Sequence, residues 1–68
     1  MSSAEPEKLV MMANQIAAYF RPYPRDRALA GIAGHLRDFW TPKMRASLDL
    51  NAPKLDPLVR EALAPAAT

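Results

Sequence analysis

Seven prolines divide this chain of 68 residues into short segments, and they constrain its fold more than any other feature. Proline lacks a backbone N–H and has a fixed φ, so it fits the first turn of a helix but interrupts a helix interior or a sheet. Thr41-Pro42 and Asp56-Pro57 each place a good N-cap residue before a proline. The spacing therefore predicts short helices that begin at prolines, and it disfavours a β-sheet.

The apolar residues before Thr41 recur at spacings of three and four, which is typical of amphipathic helices. We predict one such helix over residues 6–21 and a second over residues 26–40, with Asp26 as the N-cap of the second. The first has its apolar stripe on Leu9, Met12, Ala13, Ile16 and Phe20, and the second on Leu29, Ile32, Leu36 and Phe39.

The segment Arg21-Pro-Tyr-Pro-Arg25 is short and stiff, so the two helices are expected to form an antiparallel hairpin. Two short helices are predicted to follow, over about 42–50 and 57–64. The predicted fold is all-α, in a single small helical domain spanning residues 1–68. We expect the termini, residues 1–5 and 65–68, to be flexible.

The composition excludes several kinds of chemistry. The chain has no cysteine and one histidine, which rules out disulfides, thiolate zinc sites and iron–sulfur ligation. His35 and Asp38 are the one candidate acid–base pair, and a pair at this spacing on a helix surface is usually incidental. We therefore expect no catalysis by the chain alone and no cofactor or metal bound to it. A domain this small without disulfides or metals often depends on a partner.

Charge and hydropathy leave two kinds of partner open. The net charge is +2, but residues 21–45 concentrate the cations, which suits an acidic protein surface or nucleic acid phosphate. No apolar run reaches about 18 residues and the N-terminal segment is acidic, so we expect a soluble cytoplasmic protein with no membrane contact. A small helical nucleic-acid-binding domain, or another protein-interaction module, is the alternative to an accessory subunit.

Two features of the second helix suggest a contact surface. Phe39 and Trp40 are adjacent and point about 100° apart, so with Phe39 on the stripe, Trp40 is left either for the last helices to cover or for a partner. Ala30 and Gly34 leave one face without bulk, where either a partner or the first helix can approach. The side chain of Asn14, beside the first stripe, either faces solvent or forms hydrogen bonds with a partner's backbone.

Three segments, which together span nearly the whole chain, carry a resemblance to a known family. They are Lys8-Leu-Val-Met-Met-Ala-Asn-Gln-Ile-Ala17, Gly31-Ile-Ala-Gly-His-Leu-Arg-Asp-Phe-Trp-Thr-Pro-Lys-Met-Arg45 and Leu55-Asp-Pro-Leu-Val-Arg-Glu-Ala-Leu63. Together, and in this order, they resemble the delta subunit of NAD-dependent, molybdenum- or tungsten-containing formate dehydrogenase, and the middle segment is the most distinctive. Thr41 stands where an acidic residue is usual in the family, and both are good N-caps.

The resemblance implies a non-catalytic subunit of a cytoplasmic complex that oxidises formate and reduces NAD. It implies that the catalytic alpha subunit carries a molybdopterin cofactor, and that the beta and gamma subunits carry FMN and iron–sulfur clusters. The delta subunit is then expected to dock on the alpha subunit and to support stability or molybdenum-cofactor insertion, with no nucleic acid partner. The residues expected to bind the partner, with Trp40 as the buried anchor, are Asn14, Ala30, Gly34, His35, Arg37, Phe39, Trp40, Pro42, Met44 and Arg45.

Overall fold

A computed structural model describes residues 5–64 and contains four helices and no strand in that range. The helices are α1 (Glu5–Phe20), α2 (Arg25–Phe39), α3 (Pro42–Ser47) and α4 (Pro57–Leu63). The all-α fold predicted from the proline spacing and the apolar stripes is confirmed. The predicted flexibility of the termini falls mostly on 1–4 and 65–68, which lie outside the described residues.

The connection between α1 and α2 differs from the prediction at one cap. Helix α2 begins at Arg25, one residue early, and Pro24 occupies the N-cap position without a side-chain hydrogen bond. The prediction of Asp26 as N-cap is wrong, because the fixed φ of Pro24 (−53°) already suits the entry into the helix. Asp26 lies instead in the first turn, where the helix dipole still favours a carboxylate.

Both predicted caps that combine a polar residue with proline are confirmed. The Thr41 hydroxyl accepts a hydrogen bond from the Met44 N–H at 3.1 Å. The Asp56 carboxylate accepts one from the Leu58 N–H at 2.9 Å. Each cap satisfies an amide that has no partner inside its helix, which is why such short helices begin where they do.

Helix α3 is shorter than predicted, ending at Ser47 rather than near residue 50. Leu48 leaves helical geometry (φ −74°, ψ 123°) and is buried in the core. The chain then turns at Asp49, whose carboxylate accepts from the Asn51 N–H at 2.9 Å. Burying the Leu48 side chain stabilises the fold more than extending α3 by another turn would, since a six-residue helix gains little from its own hydrogen bonds.

Helix α2 is the centre of the fold. It packs against α1 on one side and against α4 on another, and its contact with α4 is the more extensive. The expected pairing of α1 with α2 is therefore only part of the architecture. The core that these helices share consists of Leu9, Val10, Ala13, Ala17, Ile32, Leu36, Trp40, Leu48, Leu55 and Val59.

Polar side chains tie the segments together through backbone groups. Asn14 donates to the Lys54 carbonyl at 2.9 Å and accepts from the Asp56 N–H at 2.8 Å. These bonds attach α1 to the segment that leads into α4. Arg60 donates to the Leu50 carbonyl at 2.7 Å and so fixes the loop between α3 and α4. Among residues 5–64, no helix is both long and apolar enough to cross a bilayer.

Candidate docking surface

An open groove lies between α1 and α2 and has a volume of about 580 Å³. We call it the α1–α2 groove. Its walls are apolar or aromatic apart from an amide and an imidazole, and none of its side chains is an acid, a lysine or an arginine. It is lined by Met12, Gln15, Ile16, Tyr19, Phe20, His35, Phe39 and Trp40.

Two exposed aromatic side chains in the groove are held by neighbouring rings. Phe39 is 74% exposed, and its ring centroid lies 4.8 Å from that of His35. Tyr19 is 66% exposed and meets the ring of Phe20 edge to face, with centroids 4.9 Å apart. These contacts restrict the orientation of both exposed rings, which lowers the entropy that a partner must remove on binding.

Phe20 in turn packs directly on Gly31 of α2. A Cβ added at Gly31 would lie within 3.0 Å of three carbons of the Phe20 ring, so the glycine allows a close approach of α1. At Gly34 an added Cβ would meet only the Arg37 guanidinium, at 3.6 Å. Helix α1 therefore packs across Gly31, and the alternative in which α1 approaches Gly34 is wrong.

The prediction that Phe39 lies on the inner stripe is wrong, whereas Trp40 is covered within the chain, which is one of the two alternatives predicted for it. Trp40 is only 6% exposed and belongs to the core, whereas Phe39 lies on the surface. Helix α2 ends at Phe39, and Trp40 adopts extended geometry (φ −90°, ψ 143°), so the helical angle between them does not apply. Trp40 is the floor of the groove and is not left over from packing. Phe39 is the aromatic residue that the fold leaves exposed.

Two further residues expected to bind a partner are engaged inside the chain. The Arg45 guanidinium donates to the carbonyls of Leu36 (3.1 Å), Arg37 (3.1 Å) and Trp40 (2.6 Å), which closes the C-terminal end of α2. The amide of Asn14 bonds this chain's own backbone, which neither of the two readings of Asn14 anticipated.

The remaining predicted residues lie at or near the surface of α2 and α3. His35 and Phe39 share the groove, while Ala30 and Arg37 are exposed and Gly34 is half-buried on α2. Pro42 is exposed at the start of α3, and Met44 is half-buried against the core. Binding of a partner by these residues stays a prediction. The groove residues of α1, Met12, Ile16 and Tyr19, were not predicted to lie at the surface.

The basic stretch is partly neutralised within the fold. Arg21 pairs with Asp56, and Arg25 pairs with Glu61, so two of its cations bind acids at α4. The Arg37 Nε donates to the Asp38 carboxylate at 3.0 Å, while the His35 ring packs on Phe39. His35 and Asp38 thus have different partners, and residues 5–64 contain no group of three acids or histidines placed to hold a metal ion.

Comparison with known proteins decides the family. Residues 8–63 match the family described as the NADH-dependent formate dehydrogenase delta subunit, FdsD. The chain belongs to this family. The match includes every residue that lines the α1–α2 groove and the whole of α2, α3 and α4.

The resemblance inferred from the three sequence segments is thereby confirmed. No curated protein and no solved structure matches the chain significantly.

Proposed function

We propose that this chain is a non-catalytic accessory subunit of a cytoplasmic NAD-dependent formate dehydrogenase and that it docks on the catalytic alpha subunit. The observation that carries the proposal is the match of residues 8–63 to the delta-subunit family. The surface supports a binding role, because large exposed apolar side chains gathered in one groove are typical of interaction sites.

The proposal assigns the cofactors to the other subunits. Molybdopterin and the iron–sulfur clusters need thiolate or extensive polar ligation, and this chain has no cysteine and one histidine. As the family resemblance implies, the proposal assigns the molybdopterin cofactor to the alpha subunit, and FMN and further iron–sulfur clusters to the beta and gamma subunits. The delta chain acts through protein contacts alone.

Two roles are compatible with such contacts, namely stabilisation of the assembled complex and support of molybdenum-cofactor insertion. In the first role the bound delta chain adds its binding free energy to the stability of the alpha subunit. In the second it favours a conformation of the alpha subunit that admits the cofactor. The two roles predict different defects when the delta chain is removed.

Affinity purification of the tagged chain from its source cells tests the assignment. We expect the large subunits of formate dehydrogenase to be recovered with it, as identified by mass spectrometry, together with formate-dependent reduction of NAD. Recovery of nucleic acid without those subunits would refute the proposal and favour the nucleic-acid alternative.

Deletion of the gene for the chain separates the two roles. A stabilising subunit predicts less assembled complex with normal molybdenum content per alpha subunit. A role in insertion predicts a normal amount of alpha subunit with reduced molybdenum content. Unchanged enzyme amount, metal content and activity would contradict both roles.

A further inference from the structure

We propose that the α1–α2 groove holds an amphipathic helix of the catalytic subunit, whose apolar face fills the groove and whose ends carry carboxylates. The inference rests on the proposed function, because it names the docking surface for the partner assigned there. It is carried by the exposed aromatic residues, the length of the groove and the cations at its two ends.

The groove collects most of the large apolar surface that the described part of the chain leaves exposed. The described part of the chain has five large exposed hydrophobic residues. Three of them, Met12, Tyr19 and Phe39, line the groove. An aromatic ring that is exposed yet held by its neighbours suits an interface anchor, because it buries a large area at a small cost in entropy.

The dimensions of the groove fit a helix. Along α1 its wall extends from Met12 to Tyr19, which is seven residues or about 10 Å at 1.5 Å per residue. That length accommodates about two turns of a partner helix, whose apolar residues at positions i, i+3 or i+4, and i+7 point to one side. Met12 adds a flexible thioether that adapts to the shape of the occupant.

The charges around the groove indicate acidic ends for that helix. Residues four apart lie on the same helix face, so Lys8 precedes Met12 along the α1 wall, and Arg27 precedes Gly31 and His35 along the α2 wall. Both cations are exposed, and among residues 6–64, whose side chains the structure describes, neither forms an ion pair.

These cations lie at opposite ends of the groove. A connection of four residues, 21–24, reverses the chain, so the start of α1 lies beside the end of α2. Lys8 is therefore at the Phe39 end and Arg27 at the Tyr19 end. A helix with carboxylates at both ends complements this arrangement, and opposite charges guide association and fix the register.

A second copy of the chain is a poorer occupant. A symmetric dimer through the groove would place the same surface against itself. One exposed cation lies beyond each end of the groove, Lys8 on α1 and Arg27 on α2, so this arrangement brings positive charges together, and two concave surfaces fill one another badly. The charges thus favour an acidic partner over self-association.

Co-expression of the tagged chain with the other formate dehydrogenase subunits tests the groove. We expect Phe39→Glu, and separately Tyr19→Glu, to reduce recovery of the catalytic subunit at least tenfold. Met11→Glu is the matched control, since Met11 is 63% exposed on α1 outside the groove, and it should leave recovery unchanged. Circular dichroism of the variants checks that they remain helical, and the double variant Tyr19→Ala, Phe39→Ala repeats the test without new charge.

Normal recovery with the groove variants, or an equal loss with Met11→Glu, would overturn the inference. If instead the unaltered chain recovers no catalytic subunit, the proposed function itself fails. The two failures are therefore distinguishable in one experiment.

A photo-crosslinking amino acid at position 39 identifies the occupant. The expected product joins position 39 to a segment of the catalytic subunit that has helical apolar spacing and Asp or Glu at its ends. A crosslink to a second copy of the chain, to the beta or gamma subunit, or to a segment without that pattern would overturn the inference.

Charge reversal tests the acidic ends. Arg27→Glu should lower recovery of the catalytic subunit severalfold in low salt, and the difference from the unaltered chain should shrink in 0.5 M salt, where the Debye length is only about 4 Å. Lys54→Glu makes the same charge change at an exposed residue outside the groove. Equal effects of the two variants would refute the charge assignment.

Discussion

The side of α2 that faces α4 is more closely packed than the side that faces α1: the opening beside α4 has a volume of about 430 Å³, against about 580 Å³ for the α1–α2 groove. On the α4 side, Val59 is fully buried, and the ion pair between Arg25 and Glu61 joins the two helices at the surface. On the α1 side, Phe20 covers Gly31, but the rest of the contact widens into the α1–α2 groove with Phe39 exposed at its rim.

This difference separates the residues that hold the fold from those that are available to a partner. A chain of 68 residues has a thin core, so it buries what its own helices can cover and leaves the remainder at the surface. Here three of the five large exposed hydrophobic residues, Met12, Tyr19 and Phe39, line the α1–α2 groove. Substitutions of core residues should therefore lower the stability of the fold, whereas substitutions in the α1–α2 groove should lower partner binding.

The largest expected effect distinguishes Trp40 from its neighbour Phe39. Trp40→Ala should cost about 3–5 kcal/mol, because it removes a buried aromatic side chain from the core. A domain of this size rarely has more than about 3–5 kcal/mol of stability, so we expect circular dichroism to show loss of helix in the isolated variant. Phe39→Ala, at an exposed position, should change the free energy of unfolding by no more than about 0.5 kcal/mol.

This pair also matters for binding experiments. Loss of complex formation with Trp40→Ala follows from unfolding alone and identifies no contact. Loss with Phe39→Ala, in a chain that keeps its helicity, identifies one. If denaturant titration gave the two variants similar stabilities, the assignment of Trp40 to the core and Phe39 to the surface would be refuted.

Much of the architecture was predictable because local chemistry determines it. Thr41 and Asp56 act as caps in the way that their position before proline predicts, and the stripe residues Ile32 and Leu36 are fully buried. These features depend on residues within a few positions of one another. The helices therefore followed from short-range patterns in the sequence.

The groove was not predictable, because it depends on where helices end and on contacts between distant segments. The prediction that placed Phe39 on the inner stripe assumed a helix that continues through Trp40. The extended backbone at Trp40 instead brings its side chain into the core, while Phe39, the last residue of α2, lies exposed in the groove. One signal was available. Tyr19 extends the apolar surface of α1 beyond the stripe predicted to face α2, and it lines the groove.

The polar connection to α4 should be the next most costly to break. Asn14→Ala removes two hydrogen bonds to the backbone and leaves the part-buried Asp56 N–H without its acceptor. We expect a loss of about 1–3 kcal/mol in the free energy of unfolding, measured by urea titration. Gln15→Ala changes an exposed amide on the same helix and should cost less than about 0.5 kcal/mol. Equal losses would show that the α4 side does not depend on this connection.

The two glycines of α2 compare a position that packs against α1, Gly31, with one that does not, Gly34. Alanine in place of either glycine gains about 1 kcal/mol of helix propensity. Gly31→Ala also forces the Phe20 ring to move, which costs about 1–3 kcal/mol, whereas Gly34→Ala meets no such obstacle. Because the propensity gain is common to both, the difference between the two melting curves measures the contact with Phe20. Equal stabilisation by both substitutions would contradict the close packing at Gly31.

The ion pairs at α4 should contribute least. Arg25→Gln removes the charge that binds Glu61 but keeps a polar side chain, and Arg21→Gln does the same for Asp56. Both arginines are more than half exposed, so water screens each pair, and we expect each variant to lose less than about 1 kcal/mol at low salt and still less in 0.5 M salt. A larger loss that persists in high salt would mean that the α4 side is held by charge rather than by Val59 and the hydrogen bonds of Asn14. In that case the contact of α2 with α4 would depend on ion pairs, whereas its contact with α1 depends on apolar packing. The two sides would then differ in the kind of interaction and not only in how closely they pack.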